Sequence, residues 1–394
     1  MSSPVGSLGS DRLARVDEHG GLTFDASAVA FEWWIGAEDR WHVAARETAV
    51  RQRRLEVAPA YETAMRIPSG DAIHRVYAIG GPGDPVIVEI ENDSPVPVAL
   101  ALVVSGLRAG IGLDLGKTRI DLDRNLQLRA SKAAAHAVAA ANVEALLAAV
   151  ARGARAATTP GTVSAGAVVA LLQPLAHRTR SRFAIMPDAR DEPEVDLVAA
   201  PDADAVARGW VAMLRRGMQV VFADPGRQLA TDRARVDLLL EAGLRRSGPD
   251  VFAALEDWGL DAEAVAVWGR LGWRDRRAAR RRADVGAGAG CDAATHLRAT
   301  RDAVVSERAD GVIVVAPQSP GPGEPLEVHE APTRSGSVSF AIRWHGDHPA
   351  LLWDVQGAPG SLRMVAPSLD PSWSTSEPSG EVLLGAGAVN PAGA

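Results

Sequence analysis

Val86-Ile87-Val88-Glu89-Ile90-Glu91-Asn92, followed by Asp93-Ser94-Pro95 and the apolar run of residues 98–104, decides how the chain reads. β-Branched residues alternating with carboxylates describe a strand, and Asn-Asp-Ser-Pro is turn chemistry, so the spacing predicts a β-hairpin here. Outward from this pair, Ile120, Leu122, Leu126 and Leu128 alternate with Asp121, Asp123 and Arg129, the pattern of a half-buried strand. Residues 168–172 and 183–186 read as two further strands. Residues 133–150 are ambiguous, because alanine favours helix while the β-rich surroundings oppose it. From about residue 22 to 222 the reading is a sandwich of antiparallel sheets.

Beyond residue 224 the apolar period lengthens. Val236, Leu239, Leu240 and Leu244, then Val251, Phe252, Leu255 and Trp258, recur at helical spacing, with Gly248-Pro249 between the two segments. A glycine-rich stretch at 286–290 interrupts this pattern. Strand patterns return at 312–315, 338–344, 350–355, 361–365 and 381–384, separated by Gly, Pro and Ser, with a solvated loop at 317–325. The expected class is therefore α+β and β-rich. The expected division is an N-terminal β-sandwich over 1–223, a short helical region over 224–310 and a small C-terminal β-sandwich with its tail over 311–394.

The 394 residues carry 42 basic and 49 acidic side chains, a formal charge of −7, which argues against chain-wide attraction to nucleic acid or to an anionic membrane. Cys291 is the single cysteine, so neither an internal disulfide nor a multi-cysteine metal site can form. The first eleven residues lack a basic segment followed by an apolar core, and no uninterrupted apolar stretch reaches membrane-spanning length. A cytoplasmic protein is the expectation, with no cofactor, metal or nucleic-acid partner implied.

Several motifs invite chemistry. Gly112 to Thr118 ends in Gly-Lys-Thr, but a phosphate-binding loop needs glycine where the chain has Ile111, so a β-turn is expected. His345-Gly346-Asp347-His348 offers two imidazoles and a carboxylate without an evident third ligand, and reads as a polar hairpin loop. The arginines at 270, 274, 276, 277, 280, 281 and 282 form the strongest charge cluster. With Asp250, Glu256, Asp257, Asp261 and Glu263 just before it, it reads as a solvated or internally paired face.

Ten tryptophans against two tyrosines is an unusual ratio, and Trp33, Trp34 and Trp41 cluster within Phe31-Glu32-Trp33-Trp34-Ile35-Gly36 and just beyond. Such aromatics either stack on the apolar faces of sugar rings or fill the core. Together with 88–92, 96–104 and 338–355, which includes Trp344 and Trp353, this stretch resembles the glucoamylase and glycogen-debranching type of glycoside hydrolase. The resemblance implies an N-terminal super-sandwich, a double ring of twelve helices and an oligosaccharide or polysaccharide ligand. Twelve helices need roughly 200 residues against about 80 available here, so a complete ring does not fit. Glu256 and Asp257 beside Trp258 are the candidate catalytic carboxylates, and Trp33, Trp34 and Trp41 the candidate ligand-binding residues. The expected function is carbohydrate-associated with a reduced hydrolase-like architecture, weakly active or non-catalytic; the alternative is an interaction scaffold without a glycan.

Overall fold

A computed structural model describes residues 2–25, 27–123, 126–153, 161–187, 195–280, 292–334, 336–357 and 362–385. The chain is β-rich, with several antiparallel sheets and, among the described residues, seven α-helices. It divides into two compact units, Met1–Trp210 and Val211–Ala394. No described helix is long and apolar enough to cross a membrane.

The first unit holds two large sheets. One has seven strands in the order Arg119–Asp123, Leu126–Ala130, Arg180–Pro187, Val86–Asp93, Gly70–Ala78, Tyr61–Ile67 and Val50–Arg54. The other has eight, with Ala30–Gly36, Val98–Ser105, Val168–Leu175 and His136–Ala140 as consecutive neighbours at one side. Val88, Ile90, Val76 and Phe183 from the first sheet share one core with Trp33, Ile35, Leu100 and Leu102 from the second.

Val86–Asp93 and Val98–Ser105 are both strands, but they do not form the expected hairpin: each lies in a different sheet. Each is already flanked on both sides. The 86–93 strand pairs with 70–78 and 180–187, and the 98–105 strand pairs with 30–36 and 168–175. Their connection is a corner between sheets, mirrored by the corner between 168–175 and 180–187. Asn92, fully buried, joins the two corners. Its side-chain amide donates to the carbonyls of Val96 at 2.8 Å, Leu175 at 3.2 Å and Ala176 at 3.3 Å, and its Oδ1 accepts from Ser94 N and Oγ. Its backbone N–H reaches Thr179 O while its carbonyl accepts from Arg178 N. Asn92→Ala leaves these carbonyls unserved and is expected to cost about 2 kcal/mol, read as a lower denaturation midpoint at unchanged slope.

The ambiguous alanine-rich stretch resolves into both structures. His136–Ala140 is a strand, and helix α1 covers Val143–Ala151, started by Asn142, whose side chain accepts from Ala145 N at 2.9 Å. The helix lays Leu146 and Val150 over the outer face of the eight-stranded sheet, burying Trp34, Ala101 and Val103. The 98–105 strand is thus covered on both faces, which is why it reads as an unbroken apolar run.

The outer face of the seven-stranded sheet carries a charged ladder. Glu89, 1% exposed, accepts from Arg182 Nε at 2.7 Å and Arg75 Nη1 at 3.1 Å, with Arg180 at 3.4 Å. Arg75 also bonds Glu62 and Glu91, while Arg182 donates to the carbonyls of Leu197 and Ala200. Tyr77 donates to Pro201 O, and burial pushes its hydroxyl pKa up.

In the chain that follows, α2 covers Ala203–Met213. The second unit then has Gln219–Phe222, α3 (Pro225–Gly243), α4 (Pro249–Asp257), α5 (Asp261–Arg270), α6 (Trp273–Arg280) and α7 (Asp292–Val304). The starts are written in the sequence: Asp224 accepts from Gly226 N and Arg227 N ahead of Pro225, and Gly248-Pro249 opens α4. Gly217, at φ +66, approaches the 258–259 backbone so closely that a Cβ would lie 2.2 Å from Trp258 O. A five-stranded sheet pairs Gln219–Phe222 with Leu326–Thr333, then Gly336–His345, His348–Gln356 and Ser379–Leu383. A four-stranded sheet contains Val305–Glu307, Ile313–Val315, Met364–Ala366 and Asp370–Thr375. The expected boundary at 223/224 thus follows a strand whose partner lies about a hundred residues on.

Candidate functional site

The candidate site is a cavity of about 490 Å³ in the second unit, lined by Phe252 and Glu256 of α4, Asp261, Ala264, Val265 and Trp268 of α5, and Ala279 of α6. Its volume falls in the range of small-molecule sites. α4 turns into α5 through Trp258, Gly259 and Leu260. Trp258, fully buried, donates its indole N–H to Leu297 O at 3.0 Å, and Gly259 takes φ +66. This tight connection carries Glu256 at one end and Asp261 at the other. Phe252 and Trp268 face each other at 5.0 Å between centroids, tilted by 42°.

Glu256 therefore reaches the cavity, but its neighbour Asp257 does not line it. Successive helical residues diverge by about 100°, and Asp257 meets Arg298 at 3.4 Å instead. The two carboxylates do not line the same opening.

The N-terminal tryptophans belong elsewhere. Trp33 is 1% exposed, stacks on His74 at 5.1 Å and 12°, and donates to His19 O. Trp34, adjacent on the strand, points to the opposite face and is fully buried under α1. Trp41 is half-buried against Gly36. Strand alternation separates Trp33, in the core between the two sheets, from Trp34 on the outer face, where Trp41 packs against the same cluster.

The arginine run is also resolved in part. Arg270 donates to Ala242 O; Arg276 donates to Trp268 O and Gly269 O, both at 3.2 Å, with its guanidinium 5.3 Å from the Trp268 ring centroid. Arg274 rests over the exposed Trp273. Of the acidic residues before the run, Glu263 pairs bidentately with Arg216, and Asp257 meets Arg298. Arg281, Arg282, Cys291 and the 286–290 glycines lie outside the described residues. His345 and His348 face each other across a two-residue hairpin turn, and among the described residues no group of three His, Cys, Asp or Glu is placed to hold a metal. Ile111–Leu113 is a strand followed by an exposed turn in which Lys117 meets Asp114 at 3.5 Å.

Nothing in the local sequence marks Trp268 or Asp261 as ligand residues. Trp268 lies one helical turn beyond Ala264, and Phe252 belongs to the apolar repeat of α4; the local pattern assigns such residues to a core. Only the packing of α4 against α5 and α6 shows that they border an opening.

No protein-family model matches the chain, and no curated protein matches it. Among solved structures it is similar to a bacterial glucoamylase crystallised with acarbose, at 7% identity and a TM-score of 0.47, over 68% of this chain and 49% of that one. The chain spans about half the length of that glucoamylase.

Proposed function

We propose that the chain is a carbohydrate-binding protein that does not turn its ligand over, and that the α4–α6 cavity is the binding site. One observation carries this reading: Trp268 and Phe252 share an opening of sugar-accommodating size with Glu256 and Asp261. An indole meets the apolar face of a sugar ring, and carboxylates accept from its hydroxyls. Inverting hydrolysis asks for more, namely two carboxyl groups roughly 6.5–9.5 Å apart on opposite sides of the sugar. Glu256 and Asp261 belong to one tight connection, and Asp257 is committed to Arg298.

Titration calorimetry with maltose, maltotriose and acarbose tests the reading, alongside an assay for released glucose. Val265 lines the cavity and is 71% exposed, so Val265→Glu blocks the opening without disturbing the core. That variant and Glu256→Gln are each expected to weaken binding about tenfold, or about 1.4 kcal/mol. Robust turnover abolished by Glu256→Gln would overturn the non-catalytic reading. Burial of Trp33 and Trp34 in the core favours the alternative, an interaction scaffold without a glycan, and failure of all three sugars to bind supports it.

A further inference from the structure

We infer that Arg276 is a positioning residue that fixes the Trp268 ring as the aromatic wall of the cavity; this rests on the binding role proposed above. Trp268 is half-buried, and Phe252 meets it at a 42° tilt. Arg276, one helix later, approaches the same residue in two ways. Its Nε–H and Nη2–H bond the carbonyls of Trp268 and of Gly269, and its guanidinium lies 5.3 Å from the indole centroid. The two carbonyls hold the guanidinium in place, and the ring then aligns to the cation, because the ring's negative π-face attracts it. Backbone and ring of one residue are thereby tied to a single side chain. Lysine does not reproduce this, since an ammonium lacks the planar fork of donors.

This gives the arginine run a role distinct from attraction to polyanions. Arg270 closes the end of α5 onto the end of α3 through Ala242 O, and Arg276 sets the ring that faces the cavity. A purely structural role for Arg276, capping the last carbonyls of α5, would change stability and leave the ring where it is.

The test separates the two. Fluorine NMR of the full chain labelled with 5-fluorotryptophan gives a resonance for Trp268, assigned by its loss in Trp268→Phe. Arg276→Gln is expected to shift and broaden that resonance while those of the buried Trp33, Trp34 and Trp258 stay in place. It is also expected to weaken maltotriose binding about tenfold, and to lower the melting temperature by less than about 3 °C. Arg276→Lys retains the cation and is expected to weaken binding only about threefold. An unmoved Trp268 resonance in Arg276→Gln overturns the inference, whatever the affinity does. A moved resonance with wild-type affinity overturns it too, since the ring would then be positioned for no purpose at this site. A moved resonance in a protein whose wild type binds no sugar upholds the positioning and refutes the binding role instead.

Discussion

Glu89→Ala is expected to lower the unfolding free energy by about 3–5 kcal/mol, the cost of removing one partner from a buried ion pair. Glu89 lies centrally on the outer face of the seven-stranded sheet, and Arg75, Arg180 and Arg182 converge on its two oxygens. Arg75 keeps Glu62 and Glu91, so its loss is partial. Among the described residues Arg182 keeps the carbonyls of Leu197 and Ala200, and its side chain is 7% exposed; without Glu89 none of them gives this desolvated guanidinium a counter-charge. The cycle with Arg182→Ala checks this. If the charge left behind is the main cost, the double variant loses clearly less than the sum of the singles, with a coupling of about 1–3 kcal/mol. Additive losses, measured by urea denaturation at pH 7, would show instead that Glu89 acts through packing alone.

The same stretch shows what a sequence can disclose. Val86, Val88 and Ile90 alternate with Ile87 and Glu89, and that alternation belongs to the strand itself, so the strand is legible. Which sheet receives the next strand is not local. Asn-Asp-Ser-Pro signals a reversal, but a reversal into a hairpin and a corner between sheets use the same turn residues. What decides is that 30–36 and 168–175 already flank the 98–105 strand. The pairing of Gln219–Phe222 with Leu326–Thr333 is likewise a long-range choice, with five described helices intervening. Helix boundaries were easier, because Asp224-Pro225 and Gly248-Pro249 satisfy or remove the first N–H groups locally. For the candidate site, Glu256 was legible as a carboxylate beside aromatics, but its separation from Asp257 depends on helical phase and on Arg298. The pairing of Trp33 and Trp34 in sequence suggested proximity, and strand alternation sends them to opposite faces.

Stability is expected to fall as pH drops below 6.5, by about 1.4 kcal/mol per unit and about 3 kcal/mol by pH 4, and the largest single cause is His74. The imidazole lies inside the sandwich, stacked on Trp33, with Nδ1 buried and without a hydrogen-bond partner. Gly20 closes over it, since a Cβ there would stand 2.8 Å from His74 Nδ1. Burial disfavours the charged ring and pushes its pKa down from 6.5 to about 3. Above pH 6.5 the ring is neutral in both folded and unfolded chains and contributes no pH dependence. Between 6.5 and about 3 the unfolded chain takes up a proton that the folded chain refuses, so acid favours unfolding throughout that window. Glu62, where burial is outweighed by Arg53 and Arg75, and Glu47, held by Arg40, have lowered pKa values and add to the loss only near and below pH 4.5. The interval from pH 6.5 to 5 therefore excludes these carboxylates, and comparison with a variant lacking His74 separates its contribution from that of the other histidines. His74→Met places a flexible apolar chain on Trp33 and removes the titration. Whatever its absolute stability, its unfolding free energy is expected to fall by about 2 kcal/mol less than that of the wild type over that interval. Equal slopes in the two proteins, from denaturant titrations at half-unit pH steps, would mean that His74 is protonated at no cost inside the fold and that the sandwich interior admits charge at this point.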